Sequence, residues 1–159
     1  MKNQVIVDKS LPKNLPLLMK DRAWNYGDYI CQRARNKSGK YISYTYKETY
    51  SDVLAFAIAM QEIGVKRGSH VGLIADNRRE WLVTDLALLS LGAADVPRGC
   101  DTMSTEICYI LDYADCLHSF FENGKQMFPQ YIETLEGIGN TEIEDEINSL
   151  INIFNNLSK

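Results

Sequence analysis

Residues 69–99 read SHVGLIADNRREWLVTDLALLSLGAADVPRG, and the reading of this stretch decides the fold. His70 to Ala75 is a short, nearly continuous apolar run, the pattern of a strand covered on both faces. Asn77 offers a helix cap, Glu80 three residues on answers it, and the apolar pattern continues to Leu91, where Gly92 closes the helix. Ala93 to Pro97 is a second short strand. A strand, a crossover helix and a strand in this order form a right-handed βαβ unit with parallel strands.

On the amino-terminal side, Pro12 and Pro16 confine a first helix to about Leu15–Trp24. Asn25-Tyr26-Gly27-Asp28 is a turn. Tyr29 to Arg35 and Tyr41 to Tyr46, joined by Asn36-Lys37-Ser38-Gly39-Lys40, form a β-hairpin. Thr45 and Glu48 match a capping box, so a helix opens near Tyr46 and runs to Gly64; its apolar middle, Val53 to Met60, predicts cover on both faces. On the carboxyl-terminal side, Thr102 or Ser104 caps a helix over about Thr105–Tyr113, and Leu117 to Phe121 is a third parallel strand. Beyond Glu122 the rhythm breaks, and Ile143, Ile147, Leu150, Ile151, Phe154 and Leu157 mark a final amphipathic helix. The fold class is therefore α/β: a β-hairpin, a βαβαβ parallel-sheet unit with helices on both faces, then a C-terminal amphipathic helix. Residues 1–126 form the sheet-bearing part and residues 127–159 a divergent helical tail.

Composition narrows the function. With 159 residues, a net charge of −4 and 24% charged residues, the chain has the make-up of a soluble domain without the basic surface that nucleic acid requires. No apolar run approaches the roughly 18 residues needed to span a bilayer, and no secretory leader is recognisable, so a cytoplasmic location is expected. Cys31, Cys100, Cys108 and Cys116 lack paired metal-site spacing and read as buried or half-buried free thiols.

The chain holds no phosphate loop of the G-x-x-x-x-G-K-[ST] type, no G-x-G-x-x-G after a strand, no H-E-x-x-H and no G-x-S-x-G. Ser38-Gly39-Lys40 joins two strands and opens no helix, so it reads as a hairpin turn. His70 and His118 fall in strands, without a nucleophile or carboxylate at a telling spacing, and read as structural. Asp95, Asp101 and Glu106 lie near the end of the second parallel strand, the edge where α/β sheets place ligands, although capping or solvated surface explains them more simply. Asn77-Arg78-Arg79-Glu80-Trp81 could present two guanidinium groups to an anion at a helix start. The simpler reading is a capped helix whose arginines meet solvent or acids on an adjoining element, and whose Trp81 anchors it to a neighbouring layer.

Several strings, in this order and spacing, resemble the start of the AMP-forming long-chain fatty-acid–CoA ligases, members of the adenylating enzyme family. They are Tyr44-Thr45-Tyr46-Lys47-Glu48, Gly64-Val65-Lys66-Arg67-Gly68, Asn77-Arg78-Arg79-Glu80-Trp81, the run from Leu91 to Gly99, Tyr109-Ile110-Leu111 and Glu122-Asn123-Gly124-Lys125-Gln126. Arg98-Gly99 followed by Asp101 is similar to the bacterial long-chain ligases, with Cys100 where those carry a small hydroxyl residue. The resemblance covers about Leu11 to Gln126 and implies a truncated amino-terminal part. For a complete member it implies ATP, magnesium and CoA: a fatty carboxylate attacks the α-phosphate of ATP, and the CoA thiol then displaces AMP. The family's Ser/Thr/Gly-rich loop ending in Pro-Lys, its Tyr-Gly-x-Thr-Glu segment, its ribose-binding aspartate and its late lysine have no counterpart here. Hence no catalytic, cofactor-binding or metal-ligating residue is assigned, and the chain is expected to be inactive alone. The alternative is a non-catalytic interaction module that associates with a full-length ligase, or with itself, through an exposed sheet edge.

Overall fold

The computed structural model describes residues 12–36 and 38–122, and the chain divides into two units, Met1–Ser51 and Asp52–Lys159. The amphipathic helix expected over Glu142–Leu157 and the tail 127–159 lie outside the described residues.

In the first unit, α1 spans Leu15–Asn25. Asn14 caps it by accepting a hydrogen bond from the Leu17 N–H at 2.9 Å, and Pro16 sits in the first turn, where a missing N–H costs nothing. Strands β1 (Ile30–Arg35) and β2 (Tyr41–Thr45) pair antiparallel as the hairpin. Asn36 organises its turn: the side-chain Oδ1 accepts from the Ser38 N–H at 3.1 Å, the Ser38 hydroxyl at 2.7 Å and the Lys40 N–H at 2.9 Å. The donors that a phosphate cradle would need are thus spent inside the turn, and Ser38-Gly39-Lys40 is a hairpin connection. Helix α2 (Tyr46–Glu62) opens on the expected capping box: Glu48 Oε2 accepts from the Thr45 N–H at 2.8 Å, and the Glu48 N–H donates to Thr45 Oγ1 at 3.2 Å.

The second unit holds a parallel sheet of β3 (His70–Ile74), β4 (Ala94–Arg98) and β5 (His118–Phe121) in the order β4-β3-β5, with α3 (Arg79–Leu91) and α4 (Ser104–Tyr113) as crossovers. Central β3 is the most buried strand; Val71, Leu73 and Ile74 are fully buried. The side of β3 that Gly72 presents is so close to its neighbours that a Cβ there would meet Leu111 Cδ2 at 2.5 Å and Ser119 Oγ at 2.6 Å. Phe120 of β5 packs against Phe56 of α2 with ring centroids 5.3 Å apart. Helix α3 ends as expected on Gly92, whose left-handed φ of 73° lets its N–H reach back to the carbonyls of Leu88 and Leu89.

Four expectations are corrected. Among the described residues helix α2 is covered on one side: Val53, Phe56, Ala57 and Met60 are buried at i, i+3, i+4, i+7, while Leu54 and Ile58 are 43% and 59% exposed. Arg78, not Asn77, holds the cap position of α3, and no side chain caps the helix from there, because a guanidinium has no acceptor to offer the first-turn N–H groups. Met103 stands at the cap of α4, which begins a residue earlier than expected, so neither Thr102 nor Ser104 caps it by side chain. Asp95 is the second residue of β4, level with Val71, and so belongs to the amino half of the strand rather than to its carboxyl end.

Asp95 instead faces Asp85 of α3. Burial, and then the charge and hydrogen bond of Asp95, push the Asp85 carboxyl up to about 6. A carboxyl that binds its proton more tightly when folded stabilises the fold below its unfolded value, and that contribution is lost as pH rises through about 6. Asp85→Asn should therefore raise the unfolding temperature relative to wild type more at pH 7.5 than at pH 4, as read by circular dichroism; an equal offset at both pH values would contradict this. Gly72→Ala should cost about 1–3 kcal/mol in urea unfolding, because Leu111 can swing aside but the Ser119 Cβ, 3.0 Å from the new atom, belongs to the paired strand.

Candidate functional site

Parallel strands deliver the residues that follow them to one edge, and three such segments meet here. Asp76 and Arg78 follow β3, Gly99 and Cys100 follow β4, and Glu122 follows β5. Asp76 and Glu122 are joined directly, the Asp76 N–H donating to Glu122 Oε2 at 2.9 Å. The Cys100 N–H donates to Asp76 Oδ1 at 3.2 Å, and Cys100 Sγ lies 3.8 Å from Glu122 Oε2. Arg78 spans the group: its Nε donates to Glu80 Oε2 at 2.7 Å and its Nη1 to Glu122 Oε1 at 2.8 Å.

The electrostatics follow from these contacts. Burial opposes ionisation of Glu80, but the Arg78 hydrogen bond, a backbone N–H and the charges of Arg78 and Arg79 outweigh it and hold the carboxyl below its ordinary value. The Arg78 guanidinium is raised, chiefly by its bond to Glu80. Burial, then the charges of Asp76 and Glu122, push the Cys100 thiol up, so near neutral pH it is a protonated thiol and a poor nucleophile.

Arg79 is buried and pairs with Asp52 of α2. Both arginines at the start of α3 are thus engaged by acids on adjoining elements, and the phosphate-clamp reading of Asn77–Trp81 gives way to the simpler one. Beside them, Ala75, Asn77, Trp81, Pro97, Arg98 and Gly99 line an open cleft of about 490 Å³. Trp81 is half-buried and contributes a wall of this cleft.

The remaining candidates do not converge. Asp101 and Glu106 are exposed after β4, while Asp95 is at the strand's other end. His70 Nδ1–H donates to the Ala114 carbonyl at 2.7 Å, a structural tie between β3 and the end of α4, and His118 lies in β5 level with Val71. Cys31, Cys100, Cys108 and Cys116 are half-buried thiols, as expected. The grouping of Asp76, Cys100 and Glu122 was not found from sequence. Its only signal there is shared position, since each falls within two residues of the end of a parallel strand.

Solved structures share this fold. The N-terminal subdomain of NpsA from Klebsiella oxytoca superposes with a TM-score of 0.60 at 20% identity, over 70% of this chain and 28% of that one. The structure of IdnL1 gives 0.65 at 17% identity, over 72% and 23%. At sequence level the AMP-binding enzyme family model matches residues 19–149. The chain belongs to the AMP-binding enzyme family.

Among curated relatives, it is 28% identical to a chloroplastic long-chain-fatty-acid–[acyl-carrier-protein] ligase, AEE15, of Arabidopsis thaliana, over 70% of this chain and 15% of the relative. It is 26% identical to long chain acyl-CoA synthetase 5 of the same plant, over 71% and 18%, and 26% identical to the long-chain-fatty-acid–CoA ligase FadD15 of Mycobacterium tuberculosis, over 60% and 16%. The chain thus spans less than a fifth of the length of these relatives. No described helix is long and apolar enough to cross a membrane.

The Asp52–Arg79 pair should anchor α2 to α3. Asp52→Asn leaves a buried guanidinium without its carboxylate and should cost about 1–3 kcal/mol of unfolding free energy. Joined to Arg79→Met it should cost less than the two single changes combined, and additivity in denaturant titrations would show that the two side chains are not coupled.

Proposed function

We propose that this chain is a relative of the long-chain fatty-acid–CoA ligases whose 159 residues supply sheet scaffold and no chemistry of their own. One observation carries the reading: the match covers 70% of this chain but only 15% of a long-chain ligase, and the matched part includes none of the family's phosphate-loop, adenine-segment or late-lysine strings. The strand-end residues support it. Arg78 and Arg79 neutralise protein carboxylates, and Cys100 is held as a thiol, so these groups are not poised for adenylate formation. Turnover by a complete relative would require ATP, magnesium and CoA, and the residues to hold them would lie on other parts of the fold. Incubated with ATP, magnesium, palmitate and CoA, the 159-residue chain should release no pyrophosphate and form no acyl-CoA above a heat-killed control. Turnover clearly above that control would overturn the proposal.

A second reading, a non-catalytic partner of a full-length ligase, is favoured by a different observation. Among the described residues β4 and β5 each have a neighbour on one side only, and Leu117 and Tyr113, just before β5, are 89% and 80% exposed. Unpaired strand edges beside apolar surface are where another chain adds. Co-expression with a complete long-chain ligase and recovery of a stoichiometric complex would support it; a chain that stays monomeric and captures no ligase would count against it.

A further inference from the structure

Asp76, Cys100 and Glu122 come from the ends of three different strands, yet each places a ligating atom within 4.8 Å of the other two. We propose that these three side chains form a binding site for a thiophilic divalent cation of the zinc and cadmium class, with a fourth position open to water. The donor set argues for this class. One sulfur with two carboxylate oxygens suits zinc or cadmium, whereas magnesium and calcium take oxygen ligands throughout. The spacing fits as well. In a tetrahedral zinc site the sulfur-to-oxygen edge is roughly 3.6 Å, and Cys100 Sγ stands 3.8 Å from Glu122 Oε2. Asp76 is exposed, while Cys100 and Glu122 are half-buried, so the site opens to solvent on the Asp76 side.

The surroundings prepare the site. Arg78 donates to Glu122 Oε1 and leaves Oε2 facing the cluster, the kind of outer hydrogen bond that orients a metal-binding carboxylate. The Cys100 N–H does the same for Asp76 through Oδ1. On binding, Cys100 coordinates as the thiolate and its proton passes to solvent. The site is independent of the proposed lack of turnover, since it uses no substrate and no family catalytic group.

The test is titration of the reduced, full 159-residue chain with cadmium chloride, followed by the thiolate-to-cadmium charge-transfer absorption. One equivalent should saturate the band, zinc should displace it, and a large excess of magnesium should not. The triple variant Cys31→Ser, Cys108→Ser, Cys116→Ser should keep the band and Cys100→Ser should lose it. Asp76→Asn and Glu122→Gln should each weaken binding by about tenfold or more. A wild-type chain with no saturable band overturns the proposal, and so does a band that survives in Cys100→Ser or is lost in the triple variant. Unchanged affinity in both carboxylate variants does the same. If Cys100→Ser does not fold, the wild-type and triple-variant titrations still decide the matter.

Discussion

The parallel pairing of β3 with strands on both sides is the constraint on which the rest of the second unit depends. A strand between two neighbours has both rows of backbone groups satisfied, and with helices packed over the sheet Val71, Leu73 and Ile74 are fully buried. Gly72 belongs to the same constraint. Ser119 of β5 and Leu111 of α4 come so close that only a residue without a side chain fits between them. The missing side chain at Gly72 therefore sets how near α4 lies to the sheet.

Ion pairs organise the carboxyl edge. Arg78 ties the start of α3 to the end of β5 through Glu80 and Glu122, and Arg79 ties the same helix to α2 through Asp52. Two adjacent arginines at a helix start could have met a phosphate. Here protein carboxylates claim both, and the helix begins without a side-chain cap because Arg78, at the cap position, has no acceptor to offer. The edge holds acids, a thiol and a guanidinium in a network that is largely self-satisfied, next to an open cleft.

Much of this was legible in the sequence, for identifiable reasons. The hairpin, the capping box at Thr45 and Glu48, the glycine stop at Gly92 and the three parallel strands are encoded by local chemistry within a few residues, and the family strings reinforce their order. What was misread depends on distant partners. The spacing of Asn77 and Glu80 reads as a capping box, but the helix starts one residue later, after Arg78, whose guanidinium pairs with Glu80 and with Glu122, more than forty residues on. Leu54 and Ile58 were assigned to a covered face since an apolar run cannot reveal which side finds a neighbour. Asp95, central in a strand over 93–97, becomes the second residue of β4 because the strand runs from Ala94 to Arg98. The Asp76, Cys100 and Glu122 grouping needs the strand order β4-β3-β5, which no local pattern specifies.

The same strand order has a consequence for how the chain acquires its structure. His70 pairs with Ala94, whereas Val71 pairs with His118, so the second pairing closes a loop about twice as long as the first. By chain statistics that doubling costs only about 0.6 kcal/mol more in closure entropy, but it must be met before β5 returns any contact energy, and long-range parallel pairing is slow for this reason. The β3-α3-β4 crossover, with the shorter loop, is then the natural nucleus, with β5 and α4 joining afterwards. During synthesis the nucleus emerges first, and the strand that completes the central pairing arrives while β3 still has an open side.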